Sequence, residues 1–429
     1  MNVSGSLRTL LATTMAASLG LAMALPSRAQ TADGALRNGF SVERLKRMDA
    51  LVDQYTREER IGGIVVLVLR DGKPVYERAS GWRDKEAGVK MTSDTLFRIA
   101  SQTKALTSAA VLALMEEGKL TVNDQAGKWI PTFAKTSVLT KADNGSTFTT
   151  SAKRAITIRD LLTHTAGINY GQAPEFAAVY EPKGLGPAAG FGWYFADKEE
   201  TTCESMERLG TLPFASQPGE KYVYGYNTDI LGCIVEKASG VSLAEYIRSR
   251  ITAPLGMTDT FFFVPSEKAN RLAVVYGSGP DGKIVKAPDG ARGQGHYVTG
   301  PRKNFAGGAG LVSSARDYAT FLEALRNGGA LGKTRILSPH TVKLMTTNQV
   351  GDIKDPRGLG FGFGFETRDK YGVNTMGSVG SWGWGGAYGT WYLVDPVERL
   401  TIVLMLQMIP NNTDFRDKFD ATLFSALIN

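Results

Sequence analysis

Histidine is scarce in this chain of 429 residues, with only His164, His296 and His340 present. No Gly-x-Ser-x-Gly occurs, so the strand-to-helix elbow that exposes the nucleophile of α/β-hydrolases is not encoded. His164, in Leu161-Leu162-Thr163-His164-Thr165-Ala166-Gly167, reads as a satisfied structural residue at a helix end and not as a base. No His-Glu-x-x-His, paired cysteine or carboxylate cluster suggests a metal, and no glycine loop ahead of a helix suggests a phosphate cofactor. The expectation is therefore chemistry without metal or organic cofactor. Blocks of like charge are also missing. The net charge of +7 is interspersed, which reads as a solvated surface and not a nucleic-acid face.

Cysteine is limited to Cys203 and Cys233. An oxidising compartment would permit one disulfide, but Cys233 sits in the apolar run Ile230–Val235, which suits a core thiol equally well. Both readings stay open. At the amino end Arg8 precedes an apolar run from Leu10 to Leu25, then Pro26-Ser27-Arg28-Ala29. This pattern predicts a signal peptide cut after Ala29 and export to a periplasm or the medium. The run is short for a membrane span and no lipid-accepting cysteine follows it, so no permanent membrane anchor is expected.

What the chain does have is a helix with an unusual mouth. Ala105 to Glu117 is a run of strong helix formers, apolar on nearly every face and ended by Gly118. Such a helix belongs at the centre of a core. At its start stand Ser101 and Lys104, one turn apart on a shared face. An ammonium or amine beside a hydroxyl in a buried site can lower the hydroxyl's pKa or take its proton. In a chain with this many serines and lysines, roughly one Ser-x-x-Lys is expected by chance. What sharpens this one is its place, where a stray lysine would be costly to bury.

Around this helix the pattern predicts a sheet built from both chain ends. Ser41–Arg60 has helical spacing. Gly63–Arg70 reads as a buried strand, Asp71-Gly72 as a hairpin turn, and Pro74–Ala79 as the return. Ala387–Val394 and Leu400–Leu406 read as two further strands, followed by a closing helix over 413–427. The middle reads mainly helical, with helices at Asp124–Trp129, Ile158–Leu162, Asp229–Ala238, Ser242–Arg250 and Asp317–Arg326, and another beginning at Pro339. Tyr170–Ser205 and Tyr276–Arg302 read as long loops over a site. The expected division is a leader at 1–29, a sheet domain from 30–100 and 349–429, and a helical lobe at 101–348.

Two more stretches could serve chemistry. In Pro218-Gly219-Glu220-Lys221-Tyr222-Val223-Tyr224-Gly225-Tyr226-Asn227 a tyrosine at a turn ahead of a helix could present its phenol to a cleft. In Ser381-Trp382-Gly383-Trp384-Gly385-Gly386-Ala387-Tyr388-Gly389-Thr390 glycines would let a ligand approach the backbone, whose N–H groups could hold an oxyanion. Ordinary packing would explain either one alone.

In this order the motifs resemble the serine β-lactamase and penicillin-binding-protein superfamily, in its class C and family VIII carboxylesterase branch. The resemblance covers residues 44–427. It rests on Leu96-Phe97-Arg98-Ile99-Ala100-Ser101-Gln102-Thr103-Lys104, on Ile156–Gly167, on Pro218-Gly219 leading to Tyr224, and on Gly307–Ser314. Trp384-Gly385-Gly386 with Val394-Asp395-Pro396 completes the set. The resemblance implies an α/β fold of the β-lactamase/transpeptidase type: an antiparallel sheet flanked by helices, with an inserted all-helical lobe and the site between. It implies that Ser101 is acylated, that Lys104 and Tyr224 share proton transfer, and that the amides of Ser101 and Ala387 form the oxyanion hole.

Two departures bear on substrate. Many relatives carry Tyr-x-Asn, whereas here the third position is Tyr226 and Asn227 comes one step late. Tyr224 is the preferred base and Tyr226 the alternative. Where β-lactamases have Lys-Thr-Gly, this chain has Trp384-Gly385-Gly386, so an indole replaces the cation that would grip a carboxylate. Trp384, Gly385, Gly386 and Tyr226 are the expected substrate contacts. The expected activity is hydrolysis of small-molecule carboxylic esters with short to medium acyl chains. A β-lactamase, D-amino-acid peptidase or amidase is the alternative, and a penicillin-binding sensor that acylates once is a third.

Overall fold

The computed structural model describes residues 35–429 apart from Thr375, so the expected leader and its cleavage site at Ala29 lie outside the described residues. Helix α1 (Val42–Arg57) starts where the Ser41 hydroxyl accepts the Arg44 N–H, and it buries Leu45, Met48, Val52 and Tyr55 at helical spacing. Strands β1 (Gly63–Arg70) and β2 (Lys73–Asp84) follow. Asp71 and Gly72 between them both have positive φ, 52° and 71°, as a two-residue turn that matches strand twist requires. Then come β3 (Val89–Lys90), β4 (Leu96–Arg98) and α2 (Thr103–Glu116), with α3 (Ile158–Leu162), α4 (Thr202–Leu209) and α5 (Asn227–Ser239) in the middle of the chain. The last third supplies β5 (Val312–Ser314), α6 (Ala315–Arg326), β6 (Leu359–Phe361), β7 (Glu366–Arg368), β8 (Trp382–Gly385), β9 (Trp391–Asp395), β10 (Leu400–Leu406) and α7 (Phe415–Ala426).

The main sheet has eight antiparallel strands in the order β6-β7-β8-β9-β10-β1-β2-β3. Its two chain ends meet at β10 and β1, paired from Leu400↔Arg70 to Leu406↔Ile64. Alternation sorts β1 between two cores: Val65 and Leu67 join the one around α2, while Ile64, Val66 and Val68 join Met48 of α1 and Phe419 of α7. Every residue of α2 from Thr103 to Leu114 is buried, in keeping with its all-round apolar surface. Helix α6 packs on β10 and β1. The β4–β5 ladder (Val312↔Arg98) ties the segment before Ser101 to this layer.

Several local expectations need correction. The expected helix at 124–129 is one 3₁₀ turn, Ala126–Lys128. The middle of the chain also contains a hairpin, Ser137–Lys141 with Thr147–Ser151, where β-branched residues flank a turn ending at Gly145. Ala387–Val394 is not one strand: Gly386–Thr390 reverses the chain, with Gly386 N–H donating to Thr390 O at 2.8 Å and Gly389 N–H to Gly386 O at 2.9 Å. Cys203 of α4 and Cys233 of α5 form a disulfide, which closes the question left open by the sequence.

Candidate active site

Strand β4 delivers the chain to Ser101 through a strained step. Ile99 is held by its N–H to Leu311 O at 3.0 Å, and the next residue, Ala100, has φ +40°. A left-handed non-glycine residue costs about 1–2 kcal/mol and persists where its surroundings fix it. Ser101 then lies in a 3₁₀ turn that leads into α2. The helix geometry places Lys104 Nζ 3.2 Å from Ser101 Oγ. The same nitrogen lies 2.8 Å from Gly308 O and 3.1 Å from Tyr170 Oη, so this fully buried lysine has three oxygen partners.

Tyr224 comes from the turn before α5. Lys104 Nζ stands 4.7 Å from its ring centroid, and its hydroxyl accepts the Trp384 indole N–H at 3.2 Å. Tyr226 is not brought to the cleft. It is fully buried, its hydroxyl accepts the Gly186 N–H at 2.8 Å, and burial pushes its phenol far up. The expectation of Tyr226 as substrate contact or alternative base is therefore corrected: its burial and its bond to Gly186 hold the phenol away from the cleft lining. Tyr170 takes the second place at Lys104 and was missed. Its only sequence signal was an aromatic beside Gly171 in a stretch read as a loop over the site.

Behind the lysine sits Asp229, in the first turn of α5 and fully buried. Burial raises its carboxyl to about 6, partly offset by the charge of Lys104. Gly308 bridges the two groups, its N–H donating to Asp229 Oδ1 at 2.9 Å and its carbonyl accepting from Lys104. A Cβ at 308 would lie 2.5 Å from Asp229 Oδ2, so the bridge needs glycine. His164 lies behind Tyr224, ring centroids 4.6 Å apart, and Asn227 Nδ2 donates to its Nδ1 at 2.9 Å. Burial and the Lys104 charge hold it well below the usual histidine range, so it is neutral.

The opposite wall is the end of β8 and the turn after it. A Cβ on Gly386 would overlap the Ile99 carbonyl oxygen and Thr390 Oγ1. Glycine there lets the turn seat against the residue two before Ser101. Trp384, Gly385 and Ala387 then line a 440 Å³ cleft with Ser101, Tyr170 and Tyr224. Trp193 also lines it, as do Glu366, Arg368, Asn374 and Arg416, a mixed-charge group in which Glu366 and Arg368 are buried. Among the described residues no three His, Cys, Asp or Glu side chains group as metal ligands would, and no helix is long and apolar enough to cross a membrane.

The family model described as Beta-lactamase matches residues 48–427. Esterase EstB of Burkholderia gladioli is 34% identical over 374 residues, covering 84% of this chain and 89% of that protein. A putative D-alanyl-D-alanine carboxypeptidase of Escherichia coli K12 is 31% identical over 393 residues, covering 86% of this chain and 83% of that one. Among solved structures, EstCE1, described as a hydrolase with promiscuous acyltransferase activity, superposes with a TM-score of 0.76 at 26% identity. The match covers 89% of this chain and 98% of EstCE1.

Proposed function

From the premise that this chain belongs to the β-lactamase family, as a hydrolase with that family's fold, we propose that it is an exported serine carboxylesterase acting through an acyl-Ser101 intermediate. The observation that carries the reading is the Ser101–Lys104 pair, 3.2 Å apart, opening on a cleft walled by an indole. Lys104 takes the Ser101 proton while Oγ attacks the ester carbonyl. Tyr224, its hydroxyl fixed by Trp384 on the cleft wall, shares the proton transfer. The backbone N–H groups of Ser101 and Ala387 receive the oxyanion. Collapse expels the alcohol, and water then releases the acid from Ser101.

Trp384 stands where a β-lactam-cleaving relative would offer a lysine to a carboxylate. An apolar wall with Gly385 and Gly386 behind it favours short to medium uncharged acyl groups. The Cys203–Cys233 disulfide supports an oxidising compartment, in line with a leader cut near Ala29. The same reading assigns residues 30–100 and 349–429 to the sheet domain and 101–348 to the helical lobe, from which α6 packs back onto β10 and β1. The test is a comparison of p-nitrophenyl butyrate with a chromogenic cephalosporin. The ester is expected to show the higher kcat/KM; the reverse order would make the protein a β-lactamase.

A further inference from the structure

Lys104 meets two phenols, and they are placed differently. Tyr224 presents its ring to the amine and gives its oxygen to Trp384. Tyr170 presents its oxygen to the amine, 3.1 Å away, and lines the cleft at 8% exposure. Among the described residues Lys104 is the only hydrogen-bond partner of the Tyr170 hydroxyl. A hydroxyl that accepts from the amine has its own single hydrogen left to direct elsewhere, and the cleft is the open side. Ser101 Oγ, Lys104 Nζ and Tyr170 Oη thus form an unbroken chain of contacts, 3.2 and 3.1 Å long, that returns to the cleft it started from.

We propose that Tyr170 is the proton relay to the departing alcohol, an inference that rests on the Ser101 esterase reading. In acylation the Ser101 O–H bond breaks and the proton goes to Lys104 Nζ, making an ammonium. When the tetrahedral intermediate collapses, the bond from the carbonyl carbon to the alcohol oxygen breaks. That oxygen takes the Tyr170 phenolic proton, and the phenolate oxygen takes one proton from the Lys104 ammonium. The net result is transfer of the serine proton to the alcohol, with Lys104 and Tyr170 both restored. Burial, with Tyr224 and Asp229 nearby, holds the Tyr170 hydroxyl well above the usual tyrosine range, so it keeps its proton until a strong base arises beside it. An alkoxide is such a base, and p-nitrophenolate is not.

The experiment is therefore a leaving-group series of butyrate esters, running from p-nitrophenyl through phenyl and trifluoroethyl to ethyl, with wild type and Tyr170→Phe. It reads kcat/KM, which reports the steps up to loss of the alcohol. Tyr170→Phe is expected to lose less than about fivefold on the p-nitrophenyl ester and at least about a hundredfold on the ethyl ester. Turnover of the activated ester in the same preparation certifies the fold. A loss of equal size across the series, or none on the ethyl ester, would overturn the relay. So would the graded pattern appearing in Tyr224→Phe in place of Tyr170→Phe. Ser101→Ala separates the two readings: if it abolishes turnover of every ester while Tyr170→Phe shows no gradient, the relay alone falls.

Discussion

Gly386→Ala is the smallest change that should disable the site without touching a reacting side chain. The added methyl would overlap the Ile99 carbonyl oxygen and Thr390 Oγ1. Thr390 can rotate, but Ile99 cannot yield easily: its N–H is bonded to Leu311 O and its carbonyl accepts the Gln102 N–H, both at 3.0 Å. The turn from 386 to 390 must move instead, on the order of 1 Å, and it carries the Ala387 amide with it. A misplacement of about 1 Å, or loss of one oxyanion donor, costs about 10²–10³ in kcat, or about 3–4 kcal/mol of transition-state stabilisation. Gly385→Ala is the comparison, because a Cβ there meets only Thr390 O at 3.2 Å and Trp391 Cδ1 at 3.9 Å. Both variants would be assayed on p-nitrophenyl butyrate, with active sites counted by a phosphonate titrant. Gly386→Ala is expected to lose at least about tenfold more kcat per titrated site than Gly385→Ala. Wild-type turnover by Gly386→Ala would refute the placement of the oxyanion hole.

Tyr224→Phe is expected to lower kcat by at least about a hundredfold, whereas Tyr226→Phe should affect stability and not turnover; the opposite pattern would reassign the base. Asp229 gives a pH dependence with a definite sign. Its carboxyl is raised to about 6 by burial, so between about pH 4 and 6 the unfolded chain releases a proton that the fold retains. The contribution of Asp229 to stability is therefore full below about pH 4 and is lost as pH rises through 6, by roughly 3 kcal/mol. In urea unfolding, wild type should lose this amount relative to Asp229→Asn between those limits; parallel curves would contradict the reading.

The parts of this molecule that sequence makes legible are those set by local geometry. Ser101 and Lys104 are three residues apart, so their meeting follows from the 3₁₀ turn that runs into α2, and the burial of α2 follows from its composition. The join of β1 with β10 was likewise written in two apolar runs at opposite ends of the chain. What escaped depends on long-range placement. Tyr170 and Tyr226 both lie in aromatic-rich segments, and only the packing of α5 against the 168–186 stretch decides which phenol reaches the lysine. The hairpin at 137–151 has β-branched residues and an Asp143-Asn144-Gly145 turn in its sequence, but it lies among helical segments and its first strand is completed by a long-range pairing with Pro213–Phe214. The 386–390 reversal was hidden by strong β formers on either side.

The nucleophile can be observed directly. An alkyl p-nitrophenyl phosphonate, incubated with the protein and followed by proteolysis and mass spectrometry, should place one phosphonyl group on Ser101 in step with the loss of esterase activity. A label on any other residue accompanying that loss, or full inactivation with Ser101 unmodified, would contradict the acyl-serine mechanism.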